Sequence, residues 1–453
     1  MQKILNLVNK SYKYLIASLI IIVPLYPKFP LIQIPGTYVS IRFEDFLLAI
    51  LAVVTLIKLI PNIKKIFENK ITRAILLFLL IGVISLVSGI LVTQTVVPSI
   101  GILHLLRRIE YFVPFFAVLA FFPHEKGKNL DFYIKILVIV VFVAFLYGVG
   151  QKYLRLPVIM TQNSEASKGI AMWWTPGSQL TSTFAGHYDL ASYTVLVLPI
   201  LISLIFVVKG KLSKIILSIV SLSGYWLLIN TASRISLASY LVAVCVSLFL
   251  MKKIKAIFIV IILSLALSAF SPGLFARYKS LIDVYSQKVK NMKIVNVNVF
   301  DINVLAQETT PAPTAKPVIE DRSTSIRLNI EWPRAIRSFY KNPLLGLGYS
   351  SIGLASDNDY LRLLAEVGAL GFLGFMLILT RILMVFVSIF PFSKKMSGVT
   401  LGFVAGVAGG FVGSLINATF IDVFEASKFA IPFWLLVGMA VFLIKDINYE
   451  QQN

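Results

Sequence analysis

The sequence has few charged residues and a single cysteine. Charged residues make up 14% of its 453 positions, whereas ordinary soluble domains contain about 25%. This shortage excludes a disordered chain and a typical soluble enzyme. Cys245 alone excludes an intrachain disulfide and a metal site built from cysteines. Since 58% of the residues are hydrophobic, the composition indicates a polytopic membrane protein.

Acidic residues are also scarce. The chain contains 21 Asp and Glu and 42 Lys and Arg, which gives a net charge of +21. In a soluble protein this excess would suggest a nucleic-acid partner. Here the basic residues cluster in alternate connections between apolar segments, which is typical of cytoplasmic loops. The pattern therefore predicts membrane lipid and no nucleic acid as a partner. No small-residue cleavage site follows the first apolar segment, so we expect a first span there rather than a cleaved signal peptide.

Twelve predicted membrane spans fit the apolar segments best, and the first of them is short. They are roughly 14–26, 43–60, 74–92, 103–122, 132–150, 187–208, 212–230, 234–251, 255–271, 360–390, 397–417 and 429–445. An even number of spans and the basic loops predict that both termini are cytoplasmic. We expect three parts: spans 1–9 in residues 1–271, a large outer loop at 272–358, and spans 10–12 in residues 359–453.

The large outer loop contains two kinds of sequence. Residues 309–317 (TTPAPTAKP) are rich in Pro and Thr and predict an extended, flexible segment. Residues 323–340 predict a helix, with isoleucines on one face, charged residues on another, and Pro333 as a point of division. The loop holds eleven Lys and Arg against seven Asp and Glu. A basic surface above the bilayer suggests an anionic ligand.

Charged residues inside predicted spans are costly and often functional. Arg107, Arg108 and Glu110 lie in the fourth span, where either a structural ion pair or the binding of an anionic substrate would explain them. Arg234 opens the eighth span. It either extends to the membrane surface or binds a lipid diphosphate through its planar guanidinium group.

Polar residues also open the sixth and tenth spans, at the same predicted outer level. His187 and Asp189 are acid–base candidates or ordinary interface residues. Ser356 or Asp357 is expected to cap the tenth span. Arg327 and Glu331 have the spacing of an ordinary helical ion pair. No Walker sequence, dinucleotide motif or zinc spacing is present, so the sequence indicates no cofactor and no metal.

Several of these segments together resemble the O-antigen ligase and polymerase superfamily. The similar segments are RIEY at 108–111, TSTFAGHYDLASY at 181–193, TASR at 231–234, SIRLNIEW at 325–332, NPLLGLG at 342–348 and DNDYLRLLAEVGALG at 357–371. The resemblance implies an all-α membrane protein of the GT-C type with twelve spans and one large outer loop.

The resemblance also implies a reaction in the cytoplasmic (inner) membrane. An acceptor hydroxyl attacks the anomeric carbon of a glycan linked to undecaprenyl diphosphate, with inversion and without a metal. Arg234 and Arg327 would bind the diphosphate, and Asp357 stands where ligases of the family have histidine. A carboxylate can serve as a general base, and this departure favours a polymerase or a divergent ligase. The further candidates for binding the glycan donor or the glycan or lipid acceptor are Arg107, Arg108, Glu110, His187, Arg334 and Asn358.

Two other functions stay open on the sequence alone. One is a transporter or flippase of a lipid-linked glycan, although transporters concentrate polar groups near the midplane of repeated halves. The other is a non-catalytic scaffold for envelope assembly, with Arg327 and Arg334 on a protein-binding surface. The sequence does not distinguish polymerase from ligase, and it identifies neither the sugar nor the acceptor.

Overall fold

The computed structural model describes residues 2–34, 40–125, 129–159, 171–269, 325–353 and 356–450. Within these ranges the protein is almost entirely helical. The exceptions are two short antiparallel hairpins, β1 (Pro30–Gln33) with β2 (Ser40–Arg42), and β3 (Pro157–Ile159) with β4 (Ala171–Trp173). The predicted flexible segment at 309–317 lies outside the described residues.

Within the described residues, fifteen α-helices follow one another along the chain. They are α1 (Gln2–Leu25), α2 (Phe43–Leu59), α3 (Ile63–Glu68), α4 (Lys70–Leu91), α5 (Pro98–Glu125), α6 (Leu130–Tyr153), α7 (His187–Ile205), α8 (Lys211–Asn230), α9 (Arg234–Leu250), α10 (Ile254–Ala269), α11 (Trp332–Lys341), α12 (Asp359–Ser388), α13 (Phe392–Lys395), α14 (Gly398–Asn417) and α15 (Ser427–Glu450).

Seven of the described helices are long and apolar enough to cross a membrane, namely α4, α6, α7, α8, α12, α14 and α15. Shorter apolar helices occupy Tyr12–Leu25, Arg234–Leu250 and Ile254–Ala269. The prediction of an all-α membrane protein is therefore confirmed. Each of the twelve predicted spans falls on a helix, but the number of spans and the GT-C assignment stay predictions.

Helix α14 packs closely between α7 and α9 because its glycines lack side chains. A Cβ atom on Gly409 would lie 2.2 Å from the Ala243 carbonyl oxygen, and one on Gly410 would lie 2.5 Å from the Leu196 carbonyl oxygen. Small residues allow such close contact between apolar helices. Helices α7 and α9, which begin at the predicted site residues His187 and Arg234, are thereby held against α14.

Helix α12 is broken at Gly368, whose φ of 67° interrupts the helical backbone. The NPLLGLG segment fills the break: Leu347 and Gly348 donate backbone hydrogen bonds to the carbonyls of Ala365 and Glu366. A Cβ on Gly346 or Gly368 would lie within 2.5 Å of facing backbone. Irregular backbone at membrane depth is tolerated when other parts of the protein satisfy its polar groups.

A single π-helical turn, Arg327–Glu331, precedes α11 in the predicted helical region. The Trp332 amide bonds to the Arg327 carbonyl, five residues back, and Pro333 has no amide hydrogen with which to continue the α-helical pattern. The wider turn changes which residues face inward. Arg327 and Ala335 are buried, whereas Ile330 is exposed.

Candidate functional site

Two of the predicted catalytic residues form an ion pair. The Arg327 Nε and Nη2 atoms each lie 2.8 Å from the Asp357 Oδ2 atom. The sequence suggested an ordinary helical ion pair between Arg327 and Glu331. In the structure, Arg327 pairs with Asp357, which lies thirty residues away in sequence. Arg327 is buried, and the Asp357 side chain keeps 27% exposure. The pair is thus reachable from solution on its carboxylate side.

Tyr188, which the sequence did not single out, completes the environment of Arg327. The Arg327 Nη2 atom donates to the Tyr188 hydroxyl at 3.0 Å, and the guanidinium carbon lies 5.5 Å from the centre of the Tyr188 ring. The ring of His187, a predicted substrate ligand, lies against Tyr188 with 4.0 Å between the ring centres. The first turn of α7 therefore forms one wall of the site.

Asp357 lies in a strained turn that Asp422 holds in place. Its φ is 48°, in the left-handed region that residues other than glycine seldom adopt. The backbone amides of Ser356 and Asn358, on either side of it, donate to the Asp422 carboxylate at 2.8 Å each. The Ser356 hydroxyl makes a third bond of 2.8 Å to Asp422. These contacts fix the direction in which Asp357 projects.

The cap of α12 differs from the sequence prediction. The Asn358 side chain accepts hydrogen bonds of 3.0 Å from the amides of Tyr360 and Leu361. The expectation that Ser356 or Asp357 caps this helix is therefore wrong, because Ser356 bonds to Asp422 and Asp357 pairs with Arg327. Asn358, predicted to bind substrate, uses its side-chain oxygen to cap the helix that carries the site.

Arg234 opens α9, and this helix start is tied to the other site elements by a chain of hydrogen bonds. The Ser236 hydroxyl donates to the Asn417 side chain at 2.9 Å, and Asn417 donates to the Ser192 hydroxyl of α7 at 2.8 Å. The neighbouring Ala418 carbonyl accepts a bond from the Asp359 amide at 3.0 Å. The starts of α7, α9 and α12 therefore meet at the end of α14.

A buried network of charges lies behind the Asp357 turn. Arg362, 3% exposed, contacts Asp422 at 3.0 Å, Glu425 at 3.3 Å and Glu366 at 3.4 Å. Arg108 from α5 also pairs with Glu425 and donates to the Phe424 carbonyl at 3.0 Å. The predicted substrate ligand Arg108 therefore joins α5 to the segment that positions Asp357.

Asp359 belongs to the same network. Its carboxylate accepts the backbone amides of Val423 and Phe424 at 2.7 and 3.1 Å. The residues between α14 and α15 are thus fixed by carboxylates and arginines from several helices.

Arg107 and Glu110 face away from this network, into a different cavity. They line a cleft of about 420 Å³ between α2 and α5, together with Asp45 and mainly apolar side chains. The Arg107 Nη2 atom donates to the Ser40 carbonyl at 3.3 Å. Neither Arg327 nor Asp357 is among the residues that line this cleft. Arg334, also predicted to bind substrate, is exposed on α11.

Asp189 is buried in an ion pair beneath the same end of α7. The Lys28 Nζ atom lies 3.6 Å from its Oδ2 atom. Burial lowers the pKa of Lys28, and the charge of Asp189 opposes that shift. This pair anchors the first turn of α7, which carries His187 and Tyr188, to the connection after α1.

The environment also changes the acidity of Asp357. Burial raises the pKa of its carboxyl group above the ordinary value of 3.8, Arg327 opposes this shift, and the charge of Asp422 adds to it. A carboxylate with a raised pKa is a stronger proton acceptor than an ordinary exposed aspartate. The arrangement can bind an anion through Arg327 and accept a proton at Asp357.

Part of the chain matches a known protein family. Residues 217–376 match the family model described as O-Antigen ligase, and no curated protein matches the chain. The matched region contains Arg234, Arg327 and Asp357, and also the broken helix α12 up to residue 376. The resemblance drawn from the sequence motifs is confirmed for residues 217–376, which are similar to the O-antigen ligase family.

Proposed function

We propose that this multi-pass membrane protein is a glycosyltransferase that polymerises or ligates glycans linked to undecaprenyl diphosphate. The observation that carries the proposal is the Arg327–Asp357 pair, in which a fixed cation and a partly exposed carboxylate meet beside Tyr188. The reaction needs a cation for the leaving diphosphate and an acceptor for a proton. Both groups lie within the family-matched region.

In the proposed reaction, an acceptor hydroxyl attacks the anomeric carbon of the donor glycan. The new C–O bond forms as the bond from that carbon to the diphosphate oxygen breaks, with inversion. Asp357 takes the hydroxyl proton, and undecaprenyl diphosphate leaves with the electron pair of the broken bond. Arg327 and Arg234 would stabilise the negative charge on the leaving group, because preorganised cations act most strongly where charge develops.

The existing ion pair suggests how the residues share these roles. The Arg327 Nε and Nη2 atoms both contact Asp357 Oδ2. A bound diphosphate would compete with the carboxylate for the planar guanidinium group of Arg327. Weakening of the pair would make the Asp357 carboxylate more available to the acceptor hydroxyl. We place the reaction on the outer face of the cytoplasmic membrane, with both termini cytoplasmic.

The test is transfer by purified protein in lipid nanodiscs. Undecaprenyl-diphosphate glycan is supplied with and without a separate acceptor. Longer lipid-linked glycans without added acceptor would identify a polymerase, and a new glycoconjugate would identify a ligase. Absence of both products, combined with movement of the intact donor across liposome membranes, would contradict the proposal. That result would indicate a transporter.

A further inference from the structure

The short helix that follows Arg327 has an unusual orientation. The charged residue Arg327 is 8% exposed, whereas the apolar residues Ile330 and Ile336 are 56% and 41% exposed. Tyr340 and Leu344 continue the exposed apolar surface at 72% and 64%. A soluble helix would ordinarily turn such residues inward. Their exposure calls for a partner that is itself apolar.

This surface is continuous with that of a membrane helix. The Leu370 amide, on the candidate span α12, donates to the Leu344 carbonyl at 3.2 Å, and Leu370 is itself exposed. At the end of α11, the Asn342 side chain reaches Ser88 at 3.5 Å, close to the end of the candidate span α4. The C-terminal end of α11 therefore lies beside the end of α4 and the break in α12.

The charges of the helix complement a phospholipid surface. Residues 332–341 (WPRAIRSFYK) contain three cations and no acidic residue. Arg334 and Arg337 are exposed beside the apolar residues. Amphipathic helices with this composition bind in the plane of the interface, with their apolar face buried and their cations among anionic headgroups.

We propose that Leu328–Leu344 forms an interfacial anchor that binds the anionic phospholipid surface of the bilayer. Ile330, Ile336, Tyr340 and Leu344 enter the boundary between headgroups and acyl chains, and Arg334, Arg337 and Lys341 contact phosphate groups. The opposite face, through Ala335, packs against Ile352 and Ala365. The anchor therefore sets the height of Arg327 relative to the membrane surface.

The test uses the full chain in nanodiscs, with Cys245→Ser to remove the single native thiol. Nitroxide labels are attached to Ile336→Cys and Tyr340→Cys, with Arg337→Cys as the matched control on the same helix. Collision rates with oxygen, which partitions into lipid, and with a water-soluble nickel complex are measured by electron paramagnetic resonance. Gel filtration of each labelled protein confirms that it is folded. No glycan substrate is needed, so the result is separate from the proposed reaction.

We expect oxygen collisions to exceed nickel collisions at positions 336 and 340, with the reverse at 337. Replacing phosphatidylglycerol with phosphatidylcholine should reduce the oxygen-to-nickel ratio at 336 and 340, because the cations lose their anionic partners. Dominant nickel collisions at 336 and 340 would overturn the proposal. Protection from both reagents would also overturn it, since another protein segment or a second copy would then cover this face. An unchanged ratio in phosphatidylcholine would contradict the role of anionic headgroups.

Discussion

Two groups of arginines and carboxylates lie next to each other in this protein, and they differ in exposure and in the number of partners. Arg327 pairs with Asp357, whose side chain is 27% exposed. Arg362 is surrounded by Asp422, Glu366 and Glu425, and it is almost fully buried. In the proposed function, the first group exchanges its partner for a ligand. In the second group, removal of Arg362 leaves three carboxylates without the cation that they share.

The two groups are joined by one short segment. One carboxylate oxygen of Asp422 accepts a hydrogen bond from Arg362. The two oxygens together accept hydrogen bonds from the backbone amides of Ser356 and Asn358, on either side of Asp357. The buried network therefore positions the exposed pair. This comparison predicts that changes in the first group reduce transfer and leave stability intact, while changes in the second reduce stability first.

The largest loss of transfer is expected for Asp357→Asn, because asparagine keeps the shape of the side chain but cannot accept the proton. General-base catalysis contributes about 10²–10⁴-fold, so the rate should fall by a factor in that range. Glycan transfer per molecule of purified protein is the measurement. Asp131→Asn, at the exposed start of α6, is the matched control and should transfer normally. A normal rate for Asp357→Asn would remove this residue from the proposed chemistry.

The largest loss of stability is expected for Arg362→Met, which retains volume but leaves the three neighbouring carboxylates without their shared cation. Breaking a buried ion pair typically costs about 3–5 kcal/mol. Thermal unfolding of the purified protein should therefore begin at a clearly lower temperature than in Asp357→Asn. Equal unfolding temperatures for the two variants would show that the distinction between the two groups is wrong.

The pH dependence of transfer should reflect the raised pKa of Asp357. The carboxylate is the active form, so activity is retained above that pKa and lost as the pH falls through it. Since burial raises this pKa above 3.8, the loss should begin at a higher pH than for an ordinary aspartate. Rates of the wild type across mildly acidic pH, with unfolding monitored in parallel, provide the measurement. Asp357→His, which restores the residue type of family ligases, should move the midpoint towards the ordinary histidine value of about 6.5.

The smallest effect is expected for Arg337→Ala, because this residue is exposed on α11 and lies outside both groups. Transfer and unfolding temperature should each stay close to wild type in nanodiscs. A loss of transfer comparable with that of an Arg327 variant would mean that the proposed diphosphate site extends along α11.

The sequence predicted the helical parts of the fold well, because long apolar segments and basic loops are local signals. It also placed Asp357 and Arg327 near the same end of the bundle, through polar residues next to span ends and through the family resemblance. The glycines at 346 and 348 lie where the backbone has positive φ, which agrees with the turn predicted for NPLLGLG.

The partners within the site were not predictable, since they are far apart in sequence. Arg108 pairs with Glu425 rather than with a neighbour on α5. Asp422 holds the Asp357 turn through the amides of Ser356 and Asn358, which lie more than sixty positions earlier in the chain. Tyr188 was missed because an aromatic residue at a span end is ordinarily an interface residue. The inward orientation of Arg327 depends on the π-helical turn before Pro333, a local change that apolar periodicity does not reveal.

The central claim is that Arg234 and Arg327 act on one diphosphate. A double-mutant cycle of Arg234→Ala and Arg327→Ala, measured as glycan transfer at matched membrane expression, tests it most directly. Hydrogen bonds to charged groups contribute about 1.5–3 kcal/mol, so each single variant should lose roughly one to two orders of magnitude in rate. Arg→Lys should also be damaging at both positions, because lysine keeps the charge but lacks the planar guanidinium group. If the two residues share one ligand, the double variant will lose less than the product of the single losses. Strict additivity, or near wild-type transfer by Arg327→Ala, would contradict the account.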